Sequence, residues 1–104
     1  MPRMKKTQIK VPKEEIGKFC KKYHIQKLLF FGSVLRNDFG PDSDVDVLVD
    51  FEPGQVVGFI RLAQMEIELS NILKRKVDLR TPAELSRYFR QEVLDSAEVQ
   101  YAQR

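Results

Sequence analysis

The feature that most constrains this chain is an apolar run that stops at Gly-Ser and is followed, ten residues later, by Asp-x-Asp at the start of a β-branched run. It occupies residues 28–50, LLFFGSVLRNDFGPDSDVDVLVD. Leu28, Leu29, Phe30 and Phe31 are apolar at successive positions, which predicts a strand covered on both faces and therefore central in its sheet. Gly32-Ser33 ends that strand. Residues 33–37 read as a short helical turn and residues 39–43 as a loop rich in Gly and Pro. A second strand then opens with Asp44-Val45-Asp46-Val47-Leu48-Val49. Side chains alternate along a strand, so Asp44 and Asp46 share one face and Val45, Val47 and Val49 the other.

Two carboxylates at positions i and i+2 lie about 6.5 Å apart at their Cα atoms, from a rise of about 3.3 Å per residue. Like charges this close repel unless a cation lies between them. Magnesium answers that need, because it binds through one or two carboxylates and completes its shell with phosphate oxygens. Gly32 lets a phosphate approach the backbone, and the N–H groups of a following helical turn, with the Ser33 hydroxyl, supply donors for it. A lone Asp-x-Asp is common on protein surfaces, and a lone Gly-Ser is ordinary turn chemistry. Their combination, at the end of one strand and the start of the next, predicts a site for a metal-bound nucleotide.

The pattern of Gly32, Ser33, Asp44 and Asp46 resembles the signature of the polymerase-β-like nucleotidyltransferase superfamily. Arg36, Pro41, Asp42 and Ser43 are similar to the text of its minimal nucleotidyltransferase (MNT) branch. The chain departs from that text at Leu35, where Ala is usual, at Asn37, where Gly is usual, and at Lys74, where Gly is frequent. None of these positions is expected to hold a metal. The resemblance runs from about Leu28 to the C-terminus and takes in Lys76-Val77-Asp78-Leu79 and Ser86-Arg87-Tyr88-Phe89-Arg90. It implies an α/β fold of the polymerase-β-like nucleotidyltransferase type, a mixed sheet flanked by helices. It also favours reading Arg36 as a phosphate or carboxylate partner within the site rather than as a surface arginine.

The remaining elements suit that fold. Pro12 can occupy a first helical position, with Glu14 and Glu15 in the first turn. Ile16, Phe19, Cys20 and Tyr23 form an amphipathic stripe behind them. His24 stands alone and receives no role. Residues 52–55 break the chain after the second strand and are expected to sit beside the site. A long helix follows, with Phe59, Leu62, Met65, Leu69, Ile72 and Leu73 on one face. Residues 76–80 predict a third strand, in which Asp78 between Val77 and Leu79 is a candidate third carboxylate. The resemblance implies the same, since the superfamily carries its third acid on such a strand. Thr81-Pro82-Ala83-Glu84 reads as a capping box opening a helix that continues through Tyr88, Phe89, Val93 and Leu94. Val99 and Tyr101 alternate with Glu98 and Gln100 as a short edge strand.

At 104 residues the chain is expected to form one domain, 1–104, with residues 1–10 a poorly ordered basic arm or a short edge segment. No apolar run approaches the length of a membrane span, and the N-terminal residues lack the apolar core of a secretory leader, so a cytoplasmic location is expected. A single cysteine, Cys20, agrees with it. The net charge of +3 suits a polyanionic nucleotide but not a nucleic-acid-binding surface, so no DNA partner is expected.

Nucleotidyl transfer is the chemistry these residues suit. Asp44, Asp46 and Asp78 would hold two magnesium ions around ATP, and Gly32, Ser33 and Arg36 would hold its phosphates, with Asp78 a metal ligand or the general base. The resemblance implies the acceptor: stand-alone MNT proteins of this size are typically antitoxins that transfer AMP to a tyrosine of a HEPN-domain RNase toxin. Two alternatives are an antitoxin that neutralises by contact alone and a small-molecule nucleotidyltransferase. The second usually needs a further domain for its acceptor. Base preference and oligomeric state are open.

Overall fold

Ile16, Phe19 and Cys20 fall three and four residues apart, and the helix they form is α1, Lys13–Lys22; all three are buried. Pro12 is its N-cap rather than its first helical residue. The computed structural model describes residues 11–35, 40, 43–84, 91, 93 and 95–103, without the side chains of Ser33, Leu35 and Glu84. The basic arm, Arg36 and the residues predicted to continue the last helix at 85–90, including Tyr88 and Phe89, lie outside the described residues, as does Leu94.

After α1 come β1 (Ile25–Phe31), a 3-10 turn (Gly32–Leu35), β2 (Val45–Phe51), α2 (Phe59–Leu73), β3 (Val77–Arg80), a second 3-10 turn (Pro82–Glu84) and β4 (Glu98–Ala102). The strands form one sheet in the order β3-β2-β1-β4. β1 is antiparallel to both β2 and β4, and β2 is parallel to β3, so the sheet is mixed. The doubly apolar β1 is central, as its composition predicts, and β4 is an edge.

One face of the sheet carries Leu28, Phe30, Val45, Val47 and Val49, which join Ile16, Phe19, Met65 and Leu69 beneath α1 and α2 in the main core. Leu29, Phe31 and Leu48 point the other way and pack with Val93. Burying these apolar side chains supplies the main driving force of the fold, about 1.5–3 kcal/mol for each large one. Cys20 is buried among them, and burial pushes its thiol up to about 12.

Two further expectations are corrected. Phe59 is 86% exposed rather than part of the core face. Val57 and Leu62, on either side of it, still pack against the core. At about 100° per residue Phe59 lies about 80° round the helix from the buried Leu69, at the rim of the stripe and turned to solvent. Residues 52–55 do not sit beside the acids either. They follow the far end of β2, about 20 Å along the strand from Asp46 at about 3.3 Å per residue.

Polar ties across the helices add to the core. Tyr23 donates its hydroxyl to Glu68 Oε1 at 2.6 Å, and Lys22 Nζ lies 3.1 Å from Glu68 Oε2, joining α1 to α2. The hydrogen bond from Tyr23 is the chief reason that the Glu68 carboxyl is held below its ordinary value of 4.5, with Lys22 assisting. The same bond raises the Tyr23 phenol above 10.0. A lowered carboxyl stabilises the fold above its unfolded pKa, and that contribution fades as pH falls through the folded value. A raised phenol stabilises below 10 and loses its contribution as pH rises through the higher folded value. Tyr23→Phe is therefore expected to cost about 1 kcal/mol at pH 7, the scale of a partly solvated hydrogen bond to a charged group, and much less at pH 3. Urea unfolding of both proteins at the two pH values measures this; an equal loss at both would exclude the carboxylate as the cause.

Candidate active site

The antiparallel register places Phe31, the last residue of β1, opposite Asp46. The chain must therefore turn beside that carboxylate. It does so through Gly32 at φ +76°, a conformation that suits glycine. A Cβ on Gly32 would overlap Asp46 Oδ2, with Asp46 Cγ only 3.3 Å away. The absence of a side chain thus serves both the turn and the acid. Val34, fully buried in the main core, holds the 3-10 turn against the sheet. Ser33 has its backbone in that turn.

Across the sheet, parallel pairing sets Asp46 opposite Asp78. Adjacent strands lie about 4.8 Å apart, so two half-buried carboxylates from strands 32 residues apart in sequence share one edge of one face. Asp44, exposed, precedes β2 by one residue and, by the alternation along the strand, belongs to the same face. Arg80 Nη2 lies 3.1 Å from Asp78 Oδ2, a cation on the same face as the acids.

The sequence reading missed what holds Asp78 there. β3 is an edge strand whose outward N–H groups need partners. Val77 N–H donates to Ser70 Oγ at 3.0 Å and Leu79 N–H to Glu66 Oε2 at 2.8 Å, both from α2. These bonds bracket Asp78 and lock its strand against the helix. The available signal is a serine and a glutamate on the flank of an amphipathic helix, four residues apart, which alone is unremarkable.

Carboxylates are hard oxygen donors of the kind magnesium takes. Among the described residues no three His, Cys, Asp or Glu side chains are gathered so as to hold a metal ion by themselves. Magnesium arriving with a nucleotide needs only one or two carboxylates, and phosphate oxygens and water complete its shell. The donor set fits that mode. A separate cavity of about 490 Å³ lies between α1 and α2, lined by Lys18, Phe19, Lys22 and Glu68 among others. It is on the opposite side of the sheet from Asp46. No helix among the described residues is long and apolar enough to cross a membrane.

Residues 13–99 match the nucleotidyltransferase domain family. With that match over most of its length, the chain belongs to the nucleotidyltransferase domain family, and its mixed sheet and helices are the polymerase-β-like fold. A Methanocaldococcus jannaschii protein named as a candidate protein adenylyltransferase is 39% identical over 61 residues, 58% of this chain and 59% of that protein. The protein adenylyltransferase MntA of Thermococcus cleftensis is 34% identical over 58 residues, 56% of this chain and 57% of that one. The matched stretch thus spans less than two thirds of either relative. Among solved structures, a candidate minimal nucleotidyltransferase is 30% identical with a TM-score of 0.68, covering 82% of this chain and 85% of that one. A toxin–antitoxin structure with AMP-PNP has a TM-score of 0.73 at 20% identity, covering 90% of this chain and 76% of that one. A complex of tri-AMPylated Shewanella oneidensis HEPN toxin with MNT antitoxin has a TM-score of 0.65 at 21% identity, covering 86% and 69%.

Proposed function

We propose that this chain is a magnesium-dependent protein adenylyltransferase that moves AMP from ATP onto a hydroxyl, a tyrosine hydroxyl in this reading, of a HEPN-domain toxin and so acts as its antitoxin. The observation that carries the proposal is the meeting of Gly32, Asp46 and Asp78 at one edge of the sheet, with Asp44 beside them. The AMP-PNP complex and the AMPylated HEPN toxin among the structural neighbours support the choice of nucleotide and acceptor.

In the reaction the acceptor oxygen bonds to the α-phosphorus of ATP. The bond to the bridging oxygen of the β-phosphate breaks, pyrophosphate leaves, and the acceptor's proton passes to a base or to solvent. Asp44 and Asp46 would hold magnesium, which neutralises charge on the triphosphate when bound. The Gly32-Ser33 turn would bind phosphate through its backbone N–H groups, with the Ser33 hydroxyl and Arg36 given the same role from the sequence. Asp78 stands beside Asp46, where it can complete the metal's shell or take the acceptor proton. Little covalent chemistry is asked of the protein; positioning and charge neutralisation carry the rate.

The test is incubation with ATP, magnesium and a HEPN-domain protein encoded beside this one. Mass spectrometry should find about 329 Da added per AMP, a value set by the chemistry of AMP transfer. Digestion should place it on a tyrosine. Neutralisation of the toxin with no change in its mass would replace transfer by contact alone. Transfer to an aminoglycoside or other small hydroxyl compound, with none to protein, would move the acceptor to that class.

A further inference from the structure

Asp44 is exposed, yet the backbone on both sides of it is tied down, and to two consecutive residues. Arg75, half-buried in the turn between α2 and β3, donates from Nη2 to Ser43 O at 3.2 Å and to Gly40 O at 2.6 Å. The next residue, Lys76, accepts at its carbonyl from Val45 N–H at 2.8 Å. Gly40 and Ser43 are also bonded to each other. Ser43 N–H donates to Gly40 O at 3.1 Å, and Gly40 N–H donates to Ser43 Oγ at 3.1 Å. The turn that carries Arg75 is itself set: Lys74 takes the left-handed conformation at φ 59°, and its N–H and that of Arg75 both close on Ser70 O.

From this we infer that Arg75 is a positioning residue for Asp44, the guanidinium holding the loop backbone so that an exposed carboxylate meets the metal-bound nucleotide already in place. The inference rests on the proposed nucleotide site. Guanidinium is suited to the task, because its planar fork keeps donors aimed at two carbonyls, whereas a lysine presents a compact charge on a flexible stem. Without Arg75 the backbone before Asp44 loses its ties to the turn between α2 and β3, and displacement of a metal-binding group by about 1 Å can cost on the order of 100-fold.

Two measurements test it. The first is amide exchange in the protein without ligand. In Arg75→Ala, exchange at Ser43 should quicken by about 10-fold or more while Val47 and Val49 keep their protection; an unchanged Ser43 overturns the inference. The second is magnesium-dependent binding of AMP-PNP in a double-mutant cycle. Arg75→Ala should weaken it about 10-fold in the wild-type background and less than about 2-fold where Asp44 is already Asn, and Arg75→Lys should restore part of the loss. An equal effect in both backgrounds would mean that Arg75 acts on the fold at large and not through Asp44. If the wild-type protein shows no magnesium-dependent binding, the proposed function fails, and the exchange experiment alone then decides the role of Arg75.

Discussion

Replacing Asp44 and Asp46 together by asparagine is expected to abolish the magnesium dependence of ATP binding and to lower AMP transfer by about 1,000-fold or more. Both side chains keep their shape, so the Gly32 turn still packs against residue 46. What is lost is the charge that holds the metal, and metal stabilisation of a transferring phosphoryl group is worth several kcal/mol, with each 1.36 kcal/mol a factor of ten in rate. Stability should hold or rise, because two neighbouring negative charges are removed from one face. Isothermal titration with AMP-PNP, with and without magnesium, and urea unfolding measure the two halves of this statement. Unchanged magnesium-dependent binding in the double variant would sink the assignment of these acids as metal ligands.

Gly32→Ala should damage the protein in two separable ways. Alanine at φ +76° is strained, which costs about 1–3 kcal/mol. Its Cβ would also collide with Asp46 Oδ2, so the carboxylate has to move from its place beside Asp78. Gly54 provides the control. It sits at φ +89° with nothing within 4 Å of a Cβ, in the loop at the far end of β2. Gly54→Ala should therefore lose a similar amount of stability and keep its transfer rate, whereas Gly32→Ala loses stability and about 100-fold or more of the rate. Equal rates in the two variants would show that the contact between Gly32 and Asp46 is incidental to the chemistry.

Much of the site could be read locally. The period of two along β2 is a property of the extended backbone, so the separation of Asp44 and Asp46 from Val45, Val47 and Val49 needed no tertiary information. The same holds for the turn at Gly32, where the apolar run stops at the one residue type that readily takes a positive φ. Phe59 shows where this reasoning ends. Its spacing places it at the rim of the apolar stripe of α2, and only the packing of the helix decides that this rim faces solvent while Leu62 and Leu69 face the core.

The sequence by itself determined two acids on one strand face and a glycine turn before them, because those depend on neighbours along the chain. The tertiary structure alone decided that Asp78 stands opposite Asp46, that Gly32 touches Asp46, and that Arg75 and Lys76 hold the backbone around Asp44. These are registers between segments some 14 to 32 residues apart. No local period encodes such a register; it is set by how α2 packs on the sheet and by the hydrogen bonds of Ser70 and Glu66 to the edge of β3.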